Sequence, residues 1–556
     1  MRCLMLCLVL SLTLFAPAAH AADFYVGAGA TCDSTTLGGA VLLALLNGPG
    51  LDTIYVVRDQ SYTGQYVYID NHSVNIIGGV DSCGDPTVSG MTLLDGTGGL
   101  DRVVIEFNSD DGFEYVHLVG NLTIVGGEQG GIKSTGKAQV WVYDSVIRTN
   151  LGPGISIVGP DAYLRVDRES EISANFAQTN GGGIACSSGS MDIYGDILVN
   201  EIQGVSYGGG IYASDCEVDI FGSRIEGNLA VGRPGGGIWA ENGSAVTIVS
   251  DGGPTRISGN TSSSGGGLGI DTGSTAEIFD AWITENTATA GGGLYVGGGG
   301  VLTMGRMNPH GACHDREHCS VLSGNSASTG GAIILAGVGG ATISQTRIED
   351  NILIDGLLDK DGAVAMLSAA GVGNLTLDTV LMARNDGPEQ IFMGTSQKQV
   401  NLLSSTSVDN VNSEGGDQYF MRAEEAGATM LVRNSIVYGD SFRSGAVGTL
   451  DIVGLAVNDL SSSPGVGTDV YIVSDMGFAD QAGGNYSLAA DSVMVDFTAL
   501  APIGVTSDIR GDARGQVYDD GMNPYEYGAY EYGATFIDGF ESGDTSAWST
   551  TIGEAR

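Results

Sequence analysis

The sequence predicts an all-β fold in which short strands stack in successive coils, a parallel β-helix. Three observations support this prediction: glycine triplets recur along the chain, an apolar-x-x-Asn phrase recurs between them, and short stretches of period-two alternation separate the two. The chain has 556 residues and 90 glycines but only 12 prolines. Such glycine enrichment without a collagen triplet indicates a turn-rich repeat rather than several globular domains.

The glycine triplets mark one corner of the repeat. They recur at intervals of 26 to 39 residues and begin at Gly181, Gly208, Gly235, Gly265 and Gly291, with a variant at Gly330. Glycine is costly in regular structure, so a triplet indicates a corner that needs positive φ or a close approach to the next coil. A phosphate-binding loop is a poor interpretation because no helix with Lys-Ser/Thr follows.

The asparagine phrase marks a second corner. An apolar residue, or Met, stands three positions before each member of the set Asn150, Asn175, Asn200, Asn228, Asn260, Asn286, Asn325, Asn351 and Asn385. We expect these asparagines to lie at the same corner of successive coils. There they would take the left-handed backbone conformation and stack their amides into a hydrogen-bonded ladder.

The segments between the corners read as strands. Alternation such as Ala276-Glu-Ile278 is typical of a half-buried strand rather than a helix. Each repeat of about 26 residues holds strand, turn, strand, turn and strand, so that every coil stacks about 4.8 Å beyond the last. Residues 52–500 leave room for roughly 15 to 17 coils.

The ends of the chain predict the domain organisation. Arg2, an apolar run over residues 4–15 and the small-residue site Ala19-His20-Ala21 indicate a signal peptide over residues 1–21, too short to be a membrane span. We divide the rest into an N-terminal cap (22–51), the β-helix (52–500), a C-terminal edge (501–535) and a tail (536–556). The protein is therefore expected to be secreted or held at the cell surface, without a transmembrane span.

The charge limits the partners. With 65 acidic and 23 basic residues the formal net charge is −42, which excludes a nucleic-acid partner and favours solubility and divalent cations. We expect a monomer that requires no cofactor. If the protein binds an ion, its negative charge favours Ca²⁺.

Six cysteines follow the signal segment, an even number that favours disulfides in an oxidising compartment. Locally argued pairs are Cys32 with Cys83, from the cap to the first coils, Cys186 with Cys216, between consecutive coils, and Cys313 with Cys319. The alternative for the last pair is a zinc site completed by His314 and His318.

Two further groups are candidate binding residues. Asp355, Asp359 and Asp361 form a candidate Ca²⁺ loop, although their spacing is not that of an EF-hand, which favours a solvated turn. The aromatic residues predicted to face outward could form a sugar-stacking strip or be scattered over the surface: Tyr194, Tyr212, Trp239, Phe279 and Tyr295.

The repeats resemble those of known families. The alternation of GGG-Ile with Ile-x-x-Asn is similar to polymorphic outer membrane proteins, with Ile, Leu or Met in place of Phe. The start DFYVGAGATCDSTTLGGAVLLALL and the end DIRGDARGQVYDDGMNPYEYGAYEYG resemble bacterial exported proteins of the pectate-lyase superfold, including those named choice-of-anchor Q. This resemblance implies a right-handed coil, a short capping helix over residues 37–46, and a last edge over residues 508–531.

The resemblance implies two classes of function. The superfold hosts polysaccharide lyases, with Ca²⁺-binding carboxylates on adjacent coils and an Arg base, and glycoside hydrolases with paired carboxylates. Asp110, Asp111 and His117 are similar to the acidic pair and histidine of polygalacturonases, but the expected Arg-x-Lys and Asn-Thr-Asp partners are not found. We therefore expect a non-catalytic surface, adhesion or polysaccharide-binding protein, whose partner is a polysaccharide or a cell-surface protein. The alternative is a polysaccharide lyase or glycoside hydrolase.

Overall fold

The computed structural model is an all-β parallel β-helix of about 14 turns. The count falls below the expected 15 to 17 because some coils are long: 39 residues separate the stacked asparagines Asn286 and Asn325. The handedness of the coil stays a prediction. The structure describes residues 21–98, 102–202, 206–307, 319–354, 362–366, 373–394, 398–413, 415, 419–423, 427–439, 441–442, 449–458, 468–489, 491–495, 507–510, 514 and 525–530.

One helix occurs in these ranges, and it lies where the capping helix is predicted. It spans Leu37–Asn47 and is N-capped by Thr36, whose hydroxyl oxygen accepts a hydrogen bond from the Gly39 amide. Its apolar face packs on the first strands, including Asp23–Val26 and Asp52–Val57. The helix thereby covers an open strand edge that would otherwise invite aggregation.

The strands form three parallel faces, visited by the coils in the order III, I, II. The asparagine corner and then the glycine corner follow face II. Face I contains Asp23–Val26, Asp52–Val57, Val74–Val80, Tyr115–Gly120, Ala138–Tyr143, Ala245–Val249, Thr275–Phe279, Val301–Gly305, Gly340–Ser344, Gly373–Asp378 and Lys398–Leu403. Face II contains Thr92–Asp95, Leu122–Val125, Val146–Arg148, Glu171–Ser173, Asp196–Leu198, Arg224–Glu226, Thr255–Ser258, Ala281–Thr284, Ser320–Ser323, Thr346–Glu349, Leu381–Ala383, Thr406–Val408 and Thr468–Ile472.

Face III follows the glycine corner. It contains Val67–Asp70, Val103–Ser109, Gly130–Gly136, Ile238–Glu241, Leu268–Ile270, Leu294–Val296, Ile333–Leu335, Gly362–Met366, Glu389–Met393, Tyr419–Ala423 and Ser441–Phe442. Some long strands serve two faces: Ile155–Val166, Ile184–Ile193 and Ile211–Phe221 run from III to I, and Thr429–Tyr438 and Thr449–Val457 run from I to II. Six short strands beyond the asparagine corner form two three-stranded sheets. One contains Phe176–Ala177, Glu201–Ile202 and Leu229–Ala230, and the other contains Thr287–Ala290, Ser326–Thr329 and Ile352–Leu353.

The core is built from files of aliphatic side chains. Parallel pairing in register places each inward residue directly above its counterpart in the next coil, as with Ile147, Ile172 and Ile197. All three side chains are fully buried. Because the strands are short and the core is narrow, Ile, Val, Leu and Ala fill it, and outward positions remain available for function.

The asparagines form a continuous ladder inside the corner. Asn200 Nδ2 donates to Asn228 Oδ1 at 3.1 Å, and Asn228 Nδ2 donates to Asn260 Oδ1 at 3.0 Å. The ladder continues to Asn385 and on to Asn410, which the sequence pattern missed because Ser407 stands where the apolar residue is expected.

The left-handed residue at this corner is not the asparagine, contrary to the sequence prediction. The residue before it takes positive φ, as with Thr149 at 53° and Gly227 at 65°. The preceding residue makes the turn, and the asparagine side chain can then point inward and bond along the axis.

The glycine corner depends on two properties of glycine, its tolerance of positive φ and its lack of a Cβ atom. The first glycine of a triplet takes positive φ, 74° at Gly208, while the next two lie against the following coil. A Cβ on Gly209 would meet the Gly236 oxygen at 2.6 Å, and one on Gly210 would meet the Gly237 oxygen at 2.6 Å. Close stacking of the coils therefore requires the whole triplet.

The described residues of the C-terminal edge, 507–510, 514 and 525–530, lie on the outside of face II, which corrects the location that the resemblance implied for them. Gln345 Nε2 donates to the Asp508 oxygen at 2.7 Å, and the Ala529 amide donates to Thr406 Oγ1 at 2.9 Å. Face II is apolar there, and Leu381 and other outward residues form a cluster with this segment.

Among the described residues, the last strand of the parallel stack is Thr468–Ile472, and Phe478–Asp480 pairs antiparallel with Asn485–Leu488 after it.

Candidate functional site

Asp110 and Asp111 lie in an exposed turn after face III. Asn71 Nδ2 donates to Asp110 Oδ1 at 3.0 Å, and this bond holds the pKa of Asp110 below its usual value. The Tyr115 hydroxyl donates to Asp111 Oδ2 at 2.7 Å, which raises the pKa of Tyr115 to about 12. Both carboxylates thus serve as acceptors that brace the turn.

His117 lies inside the core, whereas the turn that carries Asp110 and Asp111 faces the solvent. Its side chain is fully buried, its ring lies 4.1 Å from that of Phe107, and burial lowers its pKa to about 3. A neutral, enclosed imidazole cannot act together with an exposed acidic turn. The polygalacturonase-like group of residues is therefore not assembled.

The cysteine predictions are confirmed for two pairs. Cys32 is bonded to Cys83, and Cys186 to Cys216. Cys319 is also disulfide-bonded, which removes its thiolate from the zinc alternative. Its predicted partner Cys313, together with His314 and His318, lies outside the described residues.

The predicted calcium loop also falls outside the described ranges, since Asp355, Asp359 and Asp361 all do. In the part of the chain that the structure describes, no group of three or more His, Cys, Asp or Glu side chains is placed to hold a metal ion.

Three of the five predicted aromatic residues share one outward row on face III. Strand register aligns this face III row in the order Glu106, Lys133, Ser156, Ala185, Tyr212, Trp239, Gly269 and Tyr295. Tyr194 and Phe279 lie elsewhere. Tyr194 stacks on Phe221 at 4.7 Å beyond face I, and Phe279 ends a face I strand.

The aromatic part of this row is packed rather than freely exposed. Trp239 is 3% exposed, and its ring lies over Gly269, where a Cβ would meet it at 2.4 Å. Tyr207 stacks on Trp239 with ring centroids 5.9 Å apart, and the Tyr295 ring lies 5.7 Å from that of Trp239. Within this stack, the rings of Tyr207 and Tyr295 are partly exposed, whereas those of Tyr212 and Trp239 are buried. Tyr207 was not among the predicted aromatic residues because it lies before the glycine triplet and not after it.

A shared acceptor fixes two of these rings. Glu241 Oε1 accepts from the Tyr212 hydroxyl at 2.7 Å, and its Oε2 accepts from Trp239 Nε1 at 3.0 Å. Burial and this bond raise the pKa of Tyr212 to about 12. The aromatic stack is therefore a rigid platform.

The polar end of the same row forms the floor of a groove of about 560 Å³. We call it the face III groove; it is lined by Val103, Glu128, Gln129, Lys133, Leu151, Gly152, Pro153, Ser156, Gln178 and Thr179. Lys133 Nζ is paired with Glu106 at 2.8 Å, so its charge is already balanced. The size is within the range of small-molecule sites.

A second outward row, on face I, carries carboxylates on neighbouring coils. Register aligns this face I row as Trp141, Arg165, Asp192, Asp219, Thr247 and Glu277. The Tyr163 hydroxyl donates to Asp192 Oδ2 at 2.7 Å. Burial, with the nearby charges of Asp192 and Glu217, raises the pKa of Asp219. Asp192 and Asp219 could not be paired from the sequence, because they are 27 residues apart and become neighbours only through the stacking of coils.

Comparison with known proteins adds no assignment: no protein-family model matches the chain, and no curated protein matches it. Within the described residues no helix is both long and apolar enough to cross a membrane. The fold and the two disulfides are compatible with a surface or polysaccharide-related protein outside the cytoplasm.

Proposed function

We propose that the protein is exported and binds an uncharged polysaccharide chain along the face III groove. The observation that carries this proposal is the continuity of the face III row. The groove floor at Lys133 and Ser156 leads, coil by coil, to Tyr207 and Tyr295 around Trp239. A linear ligand would meet polar groups first and aromatic rings next.

The regular rise of the coils suits an extended polymer. Successive residues of the face III row are about 4.8 Å apart, close to the length of one sugar unit. Ser156 and Gln178 offer hydrogen-bonding groups at the groove, and the partly buried Tyr207 and Tyr295 offer flat apolar surfaces to sugar rings.

The charges favour a neutral ligand. Lys133 is paired with Glu106, and Glu128 also lines the groove. An anionic sugar would meet uncompensated carboxylates in a protein whose formal net charge is −42. We therefore expect neutral glycans to bind in preference to uronate polymers.

Export is part of the proposal. The signal-like segment, together with disulfides at Cys32–Cys83 and Cys186–Cys216, supports an oxidising destination. There the protein would act as a secreted or cell-surface binding module.

A second candidate function, a polysaccharide lyase or hydrolase, is favoured by the face I row. Asp192 and Asp219 occupy adjacent coils beside Arg165. The raised pKa of Asp219 is the kind of perturbation that paired catalytic carboxylates display.

One experiment separates the two functions. Purified chain starting at Ala22 is passed over immobilised neutral and acidic polysaccharides, with and without Ca²⁺, while new reducing ends and unsaturated products are followed. Retention on a neutral polymer without product supports the binding function. Product that disappears in Asp219→Asn but persists in Asp110→Asn supports the enzyme, and absence of both retention and product contradicts both functions.

A further inference from the structure

Asp52 is a fully buried carboxylate at the base of the N-terminal cap. Its Oδ1 accepts hydrogen bonds from the Ala22 backbone nitrogen at 2.8 Å and from Asn47 Nδ2 at 3.0 Å. Its Oδ2 lies 3.4 Å from His72 Nε2. A buried carboxylate is costly unless a cation or several strong donors compensate it.

The Ala22 nitrogen has a special position in the sequence. It directly follows Ala21, the last residue of the small-residue cleavage site Ala19-His20-Ala21. Hydrolysis of the Ala21–Ala22 bond consumes one water and leaves a carboxylate on Ala21 and an amine on Ala22. That amine binds a proton at neutral pH, since its ordinary pKa is about 7.7–8.0.

We propose that cleavage after Ala21 creates the cationic partner of Asp52, so that the α-ammonium of Ala22 closes the cap of the processed protein. Before cleavage the same nitrogen is a neutral amide, which donates one hydrogen bond to the carboxylate but carries no charge. After cleavage the contact joins two opposite charges, so that an ion pair is added to the hydrogen bond and the buried carboxylate gains a compensating cation. This inference rests on the export part of the proposed function and is independent of what the groove binds.

The pair is placed to control the first coil. The Thr53 amide donates to the Ala22 oxygen at 2.9 Å, and Asp23–Val26 pairs in register with Asp52–Val57. The helix that carries Asn47 covers the same strands. A stronger Ala22 contact therefore tightens the edge strand of the whole β-helix and opposes its fraying.

The first test is the intact mass of the exported protein, which we expect to begin at Ala22. Any other first residue would overturn the proposal. The second test compares two forms that begin at Ala22, one with a free amine and one acetylated at that nitrogen. Hydrogen exchange at the amides of residues 23–26 and at Thr53 is the readout.

We expect exchange about five- to tenfold slower in the free-amine form, with no difference at Thr255–Ser258, which serves as the internal control. In an Asp52→Asn background the effect of acetylation should vanish. Equal exchange in the two wild-type forms would contradict the proposal even if Asp52→Asn fails to fold. Polysaccharide retention is measured separately, so failure here leaves the groove proposal standing.

Discussion

Asn228 donates a hydrogen bond from Nδ2 to Oδ1 of Asn260, 32 residues later, at 3.0 Å. Asn260 Oδ1 also accepts the Asn228 backbone amide at 2.8 Å, and Asn228 Nδ2 donates to the Ile197 oxygen at 3.0 Å. Each amide thus joins three neighbouring coils. These hydrogen bonds hold successive coils together along the axis of the β-helix, so the buried corner stabilises the stack as well as turning the chain.

Replacing Asn228 by Ala should lower the free energy of unfolding by at least about 2 kcal/mol, because buried donors and acceptors on both sides lose their partners. The measurement is urea denaturation. The matched control is Thr303→Ala, an outward, partly exposed position on face I, which should stay within about 0.5 kcal/mol of wild type. Equal stability of the two variants would show that the ladder is dispensable.

Gly209→Ala should destabilise the protein by about 1–3 kcal/mol, because the new Cβ would lie 2.6 Å from the Gly236 oxygen. Gly38→Ala is expected instead to stabilise the protein. A Cβ there has open space, and alanine favours the helix by up to about 1 kcal/mol. Thermal unfolding of the two variants checks this pair; a harmless Gly209→Ala would refute the packing argument.

Removing the Cys186–Cys216 disulfide by a double Cys→Ala change should cost about 3–4 kcal/mol, since the bond closes a loop across a sequence separation of 30 residues. Urea midpoints of wild type and variant measure the loss. Equal urea midpoints for the two proteins would contradict a stabilising role for this disulfide.

His117 should make the protein less stable in acid. Its folded pKa, about 3, is below the ordinary value of 6.5 because burial disfavours the charged imidazole. The unfolded chain then binds a proton that the folded chain does not, so stability is unaffected above pH 6.5 and falls as the pH drops from 6.5 toward 3. The loss from this residue is about 2 kcal/mol at pH 5.

The comparison variant is His117→Phe, which keeps a ring against Phe107 and removes the titration. Urea denaturation at pH 7.5 and pH 5 should reveal a loss in wild type that is about 2 kcal/mol larger than in the variant. An identical pH dependence would mean that His117 is not the titrating group.

The repeat was predictable because its signals are local. Six coils carry a glycine triplet or its variant and ten contribute a stacked asparagine, because the backbone geometry of these two corners favours the same residues in successive coils. Asn410 was not predicted as part of the ladder because Ser407 stands where the apolar residue is expected, three positions earlier. The left-handed residue was assigned one position too late, because propensity favours Asn at positive φ whereas the ladder needs its side chain inward.

The functional surface was less predictable because it is assembled across coils. Lys133 and Ser156 become neighbours only through the register of two strands, and Asp192 meets Asp219 in the same way. His117 resembled a catalytic partner in the linear sequence. Side chains alternate between the two sides of its strand, and that of His117 points into the core. Which outward residues face each other depends on coil length, and that varies along the chain.

The measurement that tests the binding account most directly is the dissociation constant for a neutral oligosaccharide, determined by titration calorimetry on three proteins. They are wild type, Ser156→Arg, which fills the groove floor, and Thr303→Arg, the same change on the outward surface of face I. We predict that Ser156→Arg weakens binding at least tenfold while Thr303→Arg leaves it unchanged. Unchanged binding by Ser156→Arg, or equal loss in both variants, would contradict the face III groove as the binding site.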